Sequence, residues 1–312
     1  MFFLHQHLND FDEFCHNVRA WDLDYRQLER GRFNSELLIY GDNKIQFSHA
    51  RLGRKMLQRG ASPEGLISFG ILADPGIQIN WRNIDISGDM MFVFPDSGEL
   101  NSISHTDFNV YVISLSEEQI NKECELLKAP DIRTLLGNHE VFTCQPGPIH
   151  DLRSWLKQIK AILASPTTSL SDGKLLSYIE HGMITRIIRL LSGQHESVAK
   201  KRSRKRDLAI CTAESIIAES IYEVINISEL CEAANVSERT LEYAFQERYG
   251  LTPKTYALMF KLNSVRKKLR QSAADELRVC DVARQHGFWH MGKFSSDYKK
   301  LFSELPSQTL RR

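Results

Sequence analysis

No stretch of this 312-residue chain is apolar for long enough to cross a membrane, which takes about 20 consecutive residues. The opening of a secretory leader is also missing, since Met1-Phe2-Phe3-Leu4 gives way at once to His5, Gln6, His7 and Asn9-Asp10. Both absences point to a cytoplasmic protein with no membrane partner. Cysteine is scarce: Cys15, Cys124, Cys144, Cys211, Cys231 and Cys280 show no C-x-x-C spacing, which argues against a zinc site or a disulfide framework. Between about residues 23 and 115 there is no H-x-H pair, and His49, His105 and His139 stand isolated. A metal-dependent enzyme built on such a region needs His clustered with a carboxylate on adjacent strands. The expectation is therefore no metal, no cofactor, no catalytic residue and no enzyme.

An excess of charge of one sign is missing as well, the net value being +1. Its distribution is more informative. From about residue 198 onward 21 basic side chains stand against 14 acidic ones, and before that point 19 stand against 25. Such an asymmetry fits a nucleic-acid module joined to a second, acidic domain. A length of 312 residues is comfortable for two cores.

From about 23 to 115 the chain carries short β-branched and aromatic runs broken by turn residues: Leu37–Tyr40, Ile45–Ser48, Leu66–Leu72, Ile77–Trp81, Met90–Phe94 and Phe108–Ile113. Gly41-Asp42-Asn43, Pro75-Gly76 and Pro95-Asp96-Ser97-Gly98 punctuate them. Evenly spaced short strands of this kind suggest a barrel or jelly roll. Trp21, Tyr25, Trp81, Phe92 and Phe94 are candidates to line an effector pocket, with ordinary core packing as the alternative. Helical patterns follow from about 116 to 191: one capped by Ser116, one from about Ile149 to Leu163, one from about Ser171 to Leu191. The last has a broad apolar stripe in which Met183, Ile187 and Leu191 are candidates for a homodimer contact, with burial in its own chain as the alternative. Residues 192–206 turn polar and then basic, as a linker does.

The last hundred residues carry one punctuated pattern twice. In the first copy Leu230, Ala233 and Ala234 form an apolar face, Asn235-Val236 makes a turn, and Ser237 is placed to cap a second helix. Leu241, Ala244 and Phe245 point inward, leaving Arg239, Glu242, Tyr243 and Gln246 outside, and Tyr249-Gly250 closes the helix. A helix from Pro253 to about Arg270, with Lys261, Arg266, Lys267, Lys268 and Arg270 beside its apolar positions, reads as a basic connector. The second copy aligns Val282 with Leu230 and Tyr298 with Phe245. Its outer face offers Met291, Gly292, Ser295 and Ser296, with Lys293, Lys299 and Lys300, along with Ser237 of the first copy, as candidates for phosphate contact. Short helix, tight turn, second helix is how a chain presents a helix to a major groove.

This arrangement, with the Gly287-Phe288 turn and Pro253 and Pro306, resembles the DNA-binding domain of the AraC/XylS family of bacterial transcription regulators over about residues 207–312. The run Gly287-Phe288-Trp289-His290 and the ending Leu305–Leu310 look similar to the ethanolamine-operon-regulator branch. The resemblance implies base reading by Arg239, Glu242 and Tyr243 in the first unit and by Met291, Gly292, Ser295 and Ser296 in the second. It also implies a cupin-like sensor barrel, a homodimer, a small-molecule effector and activation of promoters through RNA polymerase. The chain departs from the family pattern in four places: Met291 and Gly292 offer no hydrogen bonds where polar residues are usual, His290 replaces a Ser cap, Ser303 stands where Gly is usual, and Thr309-Leu310 replaces Tyr-Arg. The fold expected is α+β: residues 1–191 a cupin-like β-barrel or jelly roll with a helical dimerisation segment, 192–206 a basic linker, and 207–312 an all-α double helix-turn-helix domain. A cupin-type metal enzyme fused to a DNA module and a signal-independent architectural DNA binder are the rival readings.

Overall fold

The computed structural model describes residues 2–18, 21–82, 84–95, 100–166, 173–193, 196–197, 204–223, 225–271 and 277–311. Most of the expected linker 192–206, the Asp96–Gly98 part of one turn and the proposed helix start at Ser171 lie outside the described residues. Two compact units emerge, one made of Met1–Tyr25 with Asn34–Lys200, the other of Arg26–Phe33 with Lys201–Arg312.

The N-terminal unit opens with β1 (Phe2–Leu8), α1 (Phe11–Asn17) and β2 (Asp22–Gln27), then β3 (Ser35–Gly41), β4 (Ile45–Leu52), β5 (Met56–Ala61) and β6 (Leu66–Leu72). Next come β7 (Ile79–Trp81), β8 (Ile84–Ile86), β9 (Met90–Val93), β10 (Leu100–Ser104) and β11 (Phe108–Ser116). The unit continues with α2 (Glu117–Leu127), α3 (Ile132–Leu136), β12 (Val141–Thr143), α4 (Pro146–Ala164), α5 (Gly173–Ser192) and β13 (Glu196–Ser197). The strands form two antiparallel sheets, in the orders β1-β3-β4-β11-β6-β9-β12-β13 and β2-β5-β10-β7-β8. Each sheet keeps two edges and no ladder joins them among the described residues, so of the barrel or jelly roll expected the strands form two antiparallel sheets and not a closed barrel.

Period-2 alternation gives the larger sheet two distinct faces. Leu38, Tyr40, Phe47, Tyr111 and Ile113 point to the side covered by α4 and α5 and form one core with Ile149, Leu152, Leu156, Ile179 and Met183. The helices start where the sequence supplies caps: Ser116 accepts from the Gln119 amide at 3.3 Å, and α4 begins on Pro146. Gly182 lets α5 close on α4, because a Cβ there would lie 2.4 Å from the Trp155 ring.

The apolar stripe of α5 is wide because the sheet, α2, α3 and α4 all lie against this helix. Met183 and Ile187 are 0% exposed and Leu191 2%. These three candidates for a subunit contact are interior side chains of their own chain, with no surface to offer a partner.

The helical unit comprises α6 (Arg204–Glu219), α7 (Ile227–Ala233), α8 (Glu238–Tyr249), α9 (Pro253–Arg270), α10 (Val279–Gln285), α11 (Met291–Phe302) and α12 (Pro306–Leu310). The connector expected to be a basic rod, α9, is its central post. Tyr256, Leu262, Val265 and Leu269 are buried, and so are three polar residues, Lys261, Asn263 and Arg266. Lys261 donates to the Glu223 carbonyl, while Arg266 pairs with Glu304 and lies 3.4 Å from Thr309 Oγ1. Only Lys267 and Lys268 among the five basic positions are fully outward.

Residues 26–33, expected within the N-terminal domain, belong to this helical unit. The Gln27 amide donates to Asn263 Oδ1 and the Asn263 side chain donates back to the Gln27 carbonyl, both at 2.9 Å. Gln27 Nε2 and the Gly31 amide both donate to the Leu301 carbonyl, at 2.7 and 3.0 Å, near the end of α11. Arg26 lies 3.7 Å over the Phe260 ring.

Candidate nucleic-acid interface and candidate effector cavity

In the first helix-turn-helix the turn between α7 and α8 is made by Asn235 in the left-handed region (φ 50°), a conformation Asn tolerates better than most residues. Leu230 is buried as expected, but Ala234 is only half-buried and Ala233 faces solvent, so the apolar face of α7 is narrower than the spacing suggested. Ser237 caps α8 by accepting from the Thr240 amide at 3.3 Å, and its hydroxyl bonds Thr240 Oγ1 at 2.9 Å. Gly250 closes the helix at φ 65°.

Inside, Leu241, Ala244, Phe245 and Tyr249 are buried. The Tyr249 hydroxyl and the Tyr256 hydroxyl (2.9 Å) both donate to the buried carboxylate of Glu214, tying α6 to α8 and α9. Burial pushes the Tyr249 phenol well above its usual range, so it remains a donor. Outside, Glu238, Arg239, Glu242, Tyr243, Gln246 and Thr252 line a shallow depression. Tyr243 is 55% exposed, and the Arg239 guanidinium stands 5.5 Å from its ring centroid. The three expected base readers thus share one outward face.

The second unit repeats the scaffold with different outward chemistry. Val282, Phe294, Tyr298, Leu301 and Phe302 are buried. Gly292, Lys293, Ser296, Lys299 and Lys300 are exposed, whereas Met291 and Ser295 are half-covered. Lys300 Nζ lies 3.8 Å from Asp297. His290 occupies the N-cap of α11 without a side-chain bond to the helix, which leaves the first-turn amides uncapped. Trp289, just before it, is 68% exposed. No local signal in the sequence reveals that this indole is left on the surface. Ser303 ends α11 at φ 58°, adopting the left-handed geometry that glycine supplies after α8. Thr309 is fully buried and joins Glu304 (2.6 Å), Tyr298 (2.8 Å) and Arg266.

In the N-terminal unit Trp21, Tyr25, Trp81, Phe92 and Phe94 all line one cavity of about 260 Å³ between the two sheets. Trp81 packs 4.4 Å from Phe92 and 4.7 Å from Phe94, and Trp21 lies 4.6 Å from Phe94 (centroid distances). Gly70 makes room for this cluster, since a Cβ there would fall 2.1 Å from the Phe92 ring.

His5 and His7 lie on β1, a strand that no apolar run in the sequence announces. Antiparallel pairing of β1 with β3 places His7 opposite Glu36. Donor atoms of His5, His7 and Glu36 lie within 4.8 Å of one another, a grouping that could hold a metal ion. A cation is already there: the Lys160 ammonium lies 2.8 Å from one Glu36 oxygen and 2.9 Å from the other. Burial works to raise the Glu36 carboxyl, but bonds from Lys160 and His5 outweigh it and hold it at about 2. His49 is buried beside Asn109 (2.6 Å) rather than aimed at a shared ligand, and burial followed by the Lys160 charge lowers it to about 4.

Comparison with known proteins follows this division of the chain. Residues 230–312 match a family model described as a helix-turn-helix domain. The XylDLEGF operon transcriptional activator of Pseudomonas putida is 38% identical over 96 residues, covering 31% of this chain and 30% of the activator. A probable thc operon regulatory protein of Rhodococcus erythropolis is 26% identical over 124 residues, covering 39% of this chain and 37% of that protein. The matched stretch therefore spans about a third of the relatives' length. The crystal structure of the AraC-like transcriptional activator CuxR aligns over 90% of this chain and all of its own, at 11% identity and a TM-score of 0.44. The family model and the activator alignment both fall on the duplicated pattern, so residues 230–312 form a helix-turn-helix domain similar to that of these transcriptional activators.

Proposed function

We propose that the chain is a sequence-specific DNA-binding transcription regulator, an activator that works at promoters by contacting RNA polymerase and responds to a small molecule held by its N-terminal unit. The observation that carries the reading is the pair of helix-turn-helix units packed on α9, each with a polar, exposed helix face. In this reading Arg239, Glu242 and Tyr243 meet base edges, because they are the long polar side chains on the outward face of a capped helix. Ser237, Lys293, Lys299 and Lys300 meet phosphates, and Met291, Gly292, Ser295 and Ser296 lie against the second groove with little hydrogen-bonding capacity.

The cavity flanked by Trp21, Tyr25, Trp81, Phe92 and Phe94 supports the sensor role over an architectural one. The Lys160–Glu36 pairing speaks against the metal-enzyme alternative. The protein would act in the cytoplasm, where its DNA is.

Selection of bound duplexes from a random-sequence pool tests the reading. Enrichment of one motif, held more tightly than the unselected pool, is expected. Retention of the pool without enrichment would reduce the protein to a nonspecific binder.

A further inference from the structure

The cavity between the sheets carries two features that ordinary core packing does not explain. Strand register places Ser102 of β10 opposite Gln58 on one side and Trp81 on the other, so the three form a row across the smaller sheet. All three line the cavity. Gln58 is 8% exposed and Trp81 2%, yet among the described residues Gln58 Nε2 and Trp81 Nε1 have no hydrogen-bond acceptor. Buried donors are almost always paired, and leaving one unpaired is costly. Two on one wall of an open space mark a place where an acceptor arrives from outside the chain.

The second feature is the absence of charge. Among the described residues that line the cavity there is no Asp, Glu, Lys, Arg or His, and most are apolar. Burial pushes the Tyr25 phenol upward, so it too stays neutral. A carboxylate or ammonium entering this space would lose its hydration and meet no counter-charge from the described lining residues. The volume sets the size: a dry cavity of about 150 Å³ holds one benzene, so 260 Å³ suits a molecule of roughly ten to fifteen non-hydrogen atoms.

We propose that this cavity binds an uncharged, mainly apolar molecule, ring-shaped and near bicyclic size, whose carbonyl, ester or ether oxygen accepts hydrogen bonds from Trp81 Nε1 and Gln58 Nε2. Trp21, Phe92 and Phe94 supply the aromatic wall against which such a ring packs. The proposal deepens the sensor reading and rests on it for its regulatory meaning, but binding can be measured alone.

Three probes of matched shape separate the causes: coumarin, a neutral lactone; naphthalene, with no acceptor; and 2-naphthoate, with a charge. Binding to the full chain is followed by calorimetry and by ligand-observed NMR. Coumarin is expected to bind about tenfold more tightly than naphthalene, the effect of about 1.4 kcal/mol of net hydrogen bonding, and 2-naphthoate more weakly than either. Trp81→Phe and Gln58→Leu should each reduce coumarin toward naphthalene while leaving naphthalene unchanged, and circular dichroism checks that both variants fold. Preference for 2-naphthoate, a coumarin advantage that survives both substitutions, or no binding of any probe would overturn the proposal. DNA binding by the same preparation without probes tests the regulator reading separately, so coumarin binding by a protein that selects no DNA would sustain the site and remove the function.

Discussion

Replacing Arg239 by alanine separates base reading from general attraction to DNA. Arg239 is exposed in the first turn of α8 and makes no ion pair among the described residues. Its contact with the Tyr243 hydroxyl, at 3.5 Å, is at the outer limit of a hydrogen bond. Little intramolecular energy holds it, so its loss should leave the fold intact and register almost wholly in the complex. A bidentate arginine–guanine pair discriminates by about 1–3 kcal/mol, which is a loss of roughly 5- to 150-fold at the preferred site. On random duplex only one cationic contact disappears, and the salt slope should fall by about one. Fluorescence anisotropy on selected and scrambled duplexes across a salt series reads both quantities. Arg239→Lys is the control that keeps the charge and loses the planar fork, and it should behave like alanine on the selected site and like the parent on the scrambled one. Equal losses on both duplexes would place Arg239 on a phosphate and refute the assignment.

Three further outcomes follow from named geometry. Ser303→Gly should stabilise the helical unit by up to about 1 kcal/mol in urea titration, because a left-handed serine (φ 58°) is strained where glycine is not; a neutral or destabilising result would show that the Ser303 side chain contributes more than the strain costs. Ile187→Ala should cost roughly 2–5 kcal/mol as a cavity in the α5 core, and a folded, fully stable variant that merely changes oligomeric state would restore Ile187 to a subunit contact. His49 is held at about 4 in the folded chain against an ordinary 6.5, so the unfolded state takes up the proton first. The stability this confers is complete above about pH 6.5 and is lost as pH falls toward 4. His49→Gln should flatten that part of the stability profile, and an unchanged profile would assign the acid sensitivity elsewhere.

What the sequence revealed and what it hid divide along local and long-range physics. The span of α8 was legible because Ser237, the inward Leu241 and Phe245, and Gly250 are all local signals. The strands around β3, β4, β6, β9 and β11 were legible from apolar runs between turns. β1 was not, because His5, Gln6 and His7 are strand residues only by virtue of pairing with β3. Nor was the place of residues 26–33, whose partners Asn263 and Leu301 lie more than two hundred positions away.

Lys261 and Arg266 look like a solvated face of α9 until their acceptors, the Glu223 carbonyl and Glu304, are located. The stripe on α5 looked like surplus because periodicity counts the apolar positions of one helix without showing how many neighbours cover it. Of the candidate sites, the aromatic five could be named from sequence, but the unpaired donors of Gln58 and Trp81 depend on the β5–β10–β7 register.

The central claim, that two helix-turn-helix units grip one duplex, is tested most directly by hydroxyl-radical footprinting of the full chain on its selected site, combined with saturation mutagenesis of that site. The account predicts two protected stretches on one face of the DNA, about one helical turn or roughly 10 base pairs apart. Sequence information should be concentrated in the half met by Arg239, Glu242 and Tyr243, and the half met by α11 should be held mainly through its backbone. A single protected stretch, or equal sequence information in both halves, would contradict it.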